Sequence, residues 1–135
     1  SELQDASVCR EEWKDSADVV LCDVPCSGLG IIRKKPEIRF KNPDEIRTLP
    51  EIQARILANC AQYVKKGGTL VYSTCTILQR ENEDVVRAFL TENPEFEAVS
   101  WTHPVCGERA DGMVTLLPPV HNTDGFFIAK MHRKV

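Results

Sequence analysis

Residues 19–30 read VVLCDVPCSGLG. Val19 to Cys22 are apolar without alternation, the pattern of a strand buried on both faces, as in a parallel sheet. Pro25 has no amide hydrogen to give a neighbouring strand, which places the strand's end near Asp23. Ser27, Gly28 and Gly30 then permit a tight loop in which a ligand can approach the backbone. Ligands of open α/β sheets bind beyond the carboxyl ends of the strands, so Asp23 and Cys26 are expected at such a crevice.

Working outward, residues 65–76, KKGGTLVYSTCT, repeat the shape. Lys65-Lys66-Gly67-Gly68 is expected to close a helix, with cations at its negative end and Gly67 as a left-handed cap. Thr69–Tyr72 reads as a second buried strand, and Ser73-Thr74-Cys75-Thr76 follows it. A helix predicted over Leu49–Val64 separates the two strands, its buried stripe formed by Leu49, Ile52, Ile56, Cys60 and Tyr63. Strand, helix, strand is a βαβ unit, whose crossover makes the strands parallel. Neighbouring strands lie about 4.8 Å apart, so Cys26 and Cys75 would hang from adjacent strand ends over one crevice.

The chain has 135 residues, within the size of one domain, and 42% of them are hydrophobic;. A net charge of −3 excludes a protein that coats nucleic acid through bulk charge; any RNA contact must be a local basic patch. No apolar run reaches the roughly 18 residues of a membrane span, nor does the start read as a secretory signal. The six cysteines read as reduced, cytosolic thiols. Cys22, Cys26, His103 and Cys106 could be drawn together as a zinc site, but their spacing straddles a strand end and fits no usual ligand pattern. No metal is expected.

Elsewhere the pattern predicts a short surface helix over Ser7–Lys14, a helix from Gln79–Glu83 to about Glu92, a strand at Phe96–Val99 and a last strand at Phe126–Met131. The acids of the 79–83 stretch suit a helix's first turn. Trp101–Leu117 reads as irregular. Arg33, Lys34, Lys35 and Arg39 form the main basic cluster. Following the Asp23–Gly30 loop directly, they read as a lip that contacts RNA phosphates, with a merely solvated loop as the bland alternative.

The succession DVPCSGLG, RKKPEI, VYSTCTILQRENE and finally Pro118 through TDGFFIAKM resembles the RNA cytosine-C5 methyltransferases of the Sun/Fmu type. The basic-proline segment is most similar to their bacterial 16S rRNA methyltransferase B group. The resemblance implies an α/β fold: the C-terminal half of a Rossmann-like, S-adenosylmethionine-dependent methyltransferase domain, with parallel strands and a terminal antiparallel one. It implies Cys75 as the nucleophile and Cys26 as the thiol that assists release of product. It also implies Asp23 near the cofactor's methionine end and the target base, and Asp5 near its adenine. Cytosine DNA methyltransferases use a Pro-Cys nucleophile, so spacing alone does not choose between the thiols.

The same resemblance implies RNA, 16S rRNA in particular, as partner, a cytoplasmic location and no membrane. The glycine-rich cofactor loop and the N-terminal RNA-binding domain of the family are not among these residues. Residues 1–135 therefore read as a single partial domain, expected to bind S-adenosylmethionine weakly or not at all. In the complete sheet order 3-2-1-4-5-7-6, losing the first three strands leaves residues 19–23 as an open edge, a surface for self-association. Two other readings remain at this point. One is a non-catalytic RNA-binding module; the other is a thiol hydrolase pairing Cys26 or Cys75 with His121.

Overall fold

The computed structural model describes residues 2–135. Its sheet runs β1 (Ala17–Asp23), β2 (Val64–Thr74), β7 (Phe126–Arg133), then β3 (Phe96–Ala98), with β6 (Met113–Leu116) also on the far side of β7. β1 and β2 are parallel, with Asp23 opposite Ser73. β7 is antiparallel to β2, with Thr74 opposite Phe127. The order matches the 4-5-7-6 end of the complete sheet, so the half-fold expected from the resemblance is present.

Helices α1 (Pro43–Ala61) and α2 (Glu83–Glu92) cover one face. Cys22, Leu70, Tyr72, Phe127, Ala129 and Met131 point into that layer and pack with Leu57, Val86 and Phe89. Each fully buried side chain of this size contributes roughly 1.5–3 kcal/mol. The opposite face has no such cover. Val19 and Leu21 are 64% and 67% exposed, so β1 is buried on one face only, not on both as its apolar run suggested. The run lacks alternation because both of its faces are apolar, and only one of them has helices packed on it.

Other boundaries differ from expectation. α1 is one continuous helix, capped by the Asn42 side chain, which accepts from the Asp44 amide. It includes Pro50 and ends at Ala61, not at Lys65–Gly67. β2 begins at Val64, and its register with β1 shifts between Ala17 and Val19. Gly67, at φ +77°, sits at this irregularity. The left-handed conformation that suited a helix cap serves a bulge instead. Ser7–Lys14 holds only a 3-10 turn, Glu11–Trp13. Residues 101–117 are not irregular: β4 (Trp101–His103) pairs with β5 (Gly107–Arg109) in a small hairpin, and β6 follows. A short helix α3 (Pro118–His121) leads into β7.

Candidate active site

Both cysteines stand just beyond strand ends, as the βαβ reading requires. The Val24 amide still donates to the Ser73 carbonyl, extending the parallel pairing past Asp23. Pro25 then turns the chain away. Cys26 Sγ lies 3.1 Å from Cys75 Sγ, and the Cys75 amide donates to Cys26 Sγ at 3.3 Å. The two thiols share one cleft of about 430 Å³, whose walls include Lys35, Glu37, Ile38 and Lys41.

Three loops meet there. The Gly30 amide donates to the Cys75 carbonyl at 3.0 Å, and the Gly125 amide donates to the Gly30 carbonyl at 2.7 Å. A Cβ on Gly125 would come within 2.6 Å of Gly30 Cα, so glycine is required at that crossing for space alone. The Ser27 and Thr76 hydroxyls bond each other at 2.8 Å. Gly28, at φ +76°, takes a conformation that strains any side chain;.

Beneath the loops lies a buried polar layer that the sequence reading missed. Glu81 is wholly buried. Its Oε2 accepts from the Ser27 amide and from Gln53 Nε2, both at 2.9 Å. Gln53 Nε2 also donates to the Pro25 carbonyl at 3.0 Å. The Tyr72 hydroxyl donates to the Glu81 carbonyl at 2.6 Å. Thr74 Oγ1 donates to Asn82 Oδ1, and Asn82 Nδ2 to the Thr76 carbonyl. Glu81 thus does more than favour a helix's first turn. The available signal was Gln53, a polar residue four before Leu57 on the apolar side of α1.

Burial, and then the neighbouring Cys75, push the Cys26 thiol up to about 12. Cys26 therefore keeps its proton at neutral pH and can donate to the Cys75 sulfur. Burial likewise pushes the Tyr72 hydroxyl up, which suits its role as a donor.

The remaining expected site residues are distributed unevenly. Asp23 is exposed at the end of β1 and accepts from Ser73 Oγ at 2.7 Å. Asp5 is not at the cleft. Its carboxylate caps its own turn, accepting from the amide and hydroxyl of Ser7, which hold its pKa below the usual carboxylate range. That turn is fastened to the last turns of α1 by Asn59 Nδ2 on the Ala6 carbonyl.

Of the basic cluster, Lys35 lines the cleft. Arg33 and Lys34 pair with Asp124, whose side chain is only 12% exposed. Arg39 lies over the exposed ring of Phe40. Lys41, absent from the predicted cluster, lines the cleft and donates to the Ser27 carbonyl at 2.9 Å. His121 accepts from the Leu117 amide within its own turn and is not among the residues that line the cleft with the two thiols, so the hydrolase reading gains no geometric support. Among the described residues, no group of three metal-ligating side chains occurs, and no helix is long and apolar enough to cross a membrane.

A family model described as 16S rRNA methyltransferase RsmB/F matches residues 3–132. The probable ribosomal RNA small subunit methyltransferase B of Bacillus subtilis is 43% identical over 99% of this chain and 32% of its own length. The Thermus thermophilus ribosomal RNA small subunit methyltransferase B is 40% identical over 88% of this chain and 30% of its own. Among solved structures, PH0851 superposes with a TM-score of 0.82 at 38% identity, over 89% of this chain and 27% of that one. NSun6 from Pyrococcus horikoshii with SFG gives 0.71 at 27% identity, over 84% and 29%. The chain thus spans about a third of the length of these curated relatives.

Proposed function

Because this chain belongs to the family of 16S rRNA methyltransferases RsmB/F, we propose that the whole protein methylates C5 of a cytosine in 16S rRNA through a covalent bond to Cys75. The observation that carries this reading is the 3.1 Å approach of two thiols from separate strand ends in one cleft.

C5 of cytosine is a poor nucleophile. The Cys75 thiolate adds to C6, which gives C5 enamine character and lets it take a methyl group. Transfer of the C5 proton to a solvent base then returns the electron pair, breaks the C6–S bond and frees the thiolate. Cysteine suits both halves, being a strong nucleophile and a tolerable leaving group. Cys26 assists the second half; protonated beside the Cys75 sulfur, it can share its hydrogen with the departing thiolate.

S-adenosylmethionine supplies the methyl group as an electrophilic sulfonium. The residues present fit its approach from the Asp23 side. That carboxylate is exposed, and Ser73 is its sole hydrogen-bond donor among the described residues, which leaves acceptor capacity for an ammonium group. Lys35 and Lys41 supply the positive charge that holds the RNA backbone at the cleft, with the target base unstacked from its neighbours. The reaction belongs to the cytoplasm, where thiols stay reduced.

The test is trapping with the full-length protein. In RNA carrying 5-fluorocytosine, fluorine stands where the departing proton would be, so the adduct persists. Wild type is expected to give a band resistant to denaturation, and Cys75→Ala none. Cys26→Ala is expected to accumulate the adduct even on unmodified RNA. Equal RNA binding by wild type and Cys75→Ala, with no adduct from either, would leave an RNA-binding module instead.

A further inference from the structure

Glu81 is wholly buried, yet no cation pairs with it among the described residues, and its Oε1 has no hydrogen-bond partner there. A carboxylate in that setting is costly to hold. Its bonds are directed to one place. Through Oε2 it receives the Ser27 amide directly, and it receives Gln53 Nε2, which also donates to the Pro25 carbonyl. The Pro25 carbonyl and the Ser27 amide belong to the two peptide groups on either side of the Cys26 Cα. Holding both restrains the backbone dihedrals of Cys26, and with them the direction of its Cα–Cβ bond, from which the sulfur hangs.

The Cys75 loop, besides its bonds to the Cys26 loop through Thr76 and the Cys75 carbonyl, has side-chain anchors of its own. Thr74 Oγ1 bonds Asn82 Oδ1 at 2.6 Å, and Asn82 Nδ2 bonds the Thr76 carbonyl at 3.0 Å. Glu81 reaches the neighbourhood of β2 through its main-chain carbonyl, which accepts from Tyr72, a bond that a side-chain substitution does not remove. Adjacent residues therefore divide the work: the Glu81 side chain addresses one thiol and the Asn82 side chain the other.

We infer that Glu81, with Gln53, is a positioning residue for Cys26 and acts on the release half of the reaction, an assignment that rests on the covalent mechanism above. With the Glu81–Gln53 pair broken, Cys75 still attacks C6, while the breakdown of the C6–S bond slows because the Cys26 sulfur is no longer held beside it.

The experiment uses the full-length protein, unmodified substrate RNA and S-adenosylmethionine, with Glu81→Met, which removes the acceptor of both bonds, and Gln53→Met compared with wild type and Cys26→Ala. Both variants are expected to raise the steady-state fraction of covalent adduct about fivefold or more, while the single-turnover rate of adduct formation stays within about twofold. A general loss of structure would lower both together, and that result overturns the assignment, as does unchanged adduct with normal turnover. If only one variant folds, it decides. If neither folds, the pair supports the fold and the assignment fails. Cys26→Ala separates the two levels: no adduct from it sinks the release role of Cys26 on which this inference rests, whereas adduct from it without adduct from Glu81→Met or Gln53→Met sinks only this inference.

Discussion

The Gly30 amide donates to the Cys75 carbonyl at 3.0 Å, so the loop bearing one thiol is closed onto the loop bearing the other. A Cβ at Gly30 would overlap the Gly125 carbonyl and come within 2.8 Å of the Cys75 carbonyl oxygen. These are main-chain atoms, which cannot rotate aside. Gly30→Ala is expected to destabilise the full-length protein by about 3 kcal/mol, the upper part of the usual overpacking range, and to abolish methyl transfer. Urea unfolding and a methylation assay check the two halves; normal activity would show that the loops tolerate separation.

Cys26 has its pKa pushed up from the ordinary thiol value to about 12, chiefly by burial. The thiolate is the form that alkylates. In a Cys75→Ser background the burial remains, so the rate of iodoacetamide labelling at Cys26 is expected to rise steadily with pH and reach no plateau below about pH 10. The linkage has a definite sign. A thiol that is harder to ionise when folded keeps its full contribution to stability below pH 9 and loses it as the unfolded chain ionises first, so stability falls from pH 9 towards 12;. Mass-spectrometric labelling against pH measures the first effect, and urea midpoints the second.

The cations near the cleft are not equivalent. Lys35 lines it, whereas Arg33 and Lys34 are engaged with Asp124. A phosphate contact on single-stranded RNA contributes a slope of about 0.7 in the dependence of log K on log salt. Lys35→Ala is expected to lower the slope of RNA binding by about that amount. Arg33→Ala should change it less, because its charge is already partly neutralised. Filter binding across a salt series gives both slopes, and equal losses would mean that Asp124 releases its partners when RNA arrives.

Along the uncovered face, Val19, Thr69 and His132 form one row and Leu21, Val71 and Lys130 the next. β1 is also the last strand on its side of the sheet among the described residues. An apolar strand at an open edge is a template for association. The polypeptide of residues 1–135 is expected to self-associate, and Val19→Lys with Leu21→Glu to shift it towards monomer. Sedimentation velocity at several concentrations decides; a monomeric parent chain would refute the role of this edge.

The two thiols were legible because each ends an apolar run followed by small residues, and a βαβ connection forces such ends to the same side of a sheet. The network that aims them was not. Glu81 and Asn82 stand in an acidic stretch whose simplest reading is a solvated first helical turn, and only tertiary packing buries them. Gln53 broke the apolar pattern of α1 and could have been noticed for that reason. Lys65–Gly68 misled because a left-handed glycine after a helix serves a cap and a strand bulge equally well. β4 to β6 are three or four residues each, too short for alternation to distinguish strand from loop across 101–117.

β7 follows the other described strands in sequence, yet it lies inside the sheet, between β2 on one side and β3 and β6 on the other. Its lead-in residue Gly125 also closes onto Gly30. On a ribosome, every earlier strand of this sheet emerges before the one that must slot between them, so the thiol pair stays unassembled until Gly125 and β7 have cleared the exit tunnel. A stop codon near position 124 would therefore spare both cysteines and still yield a dead polypeptide. Nascent chains halted there present an unzipped seam to chaperones and proteases.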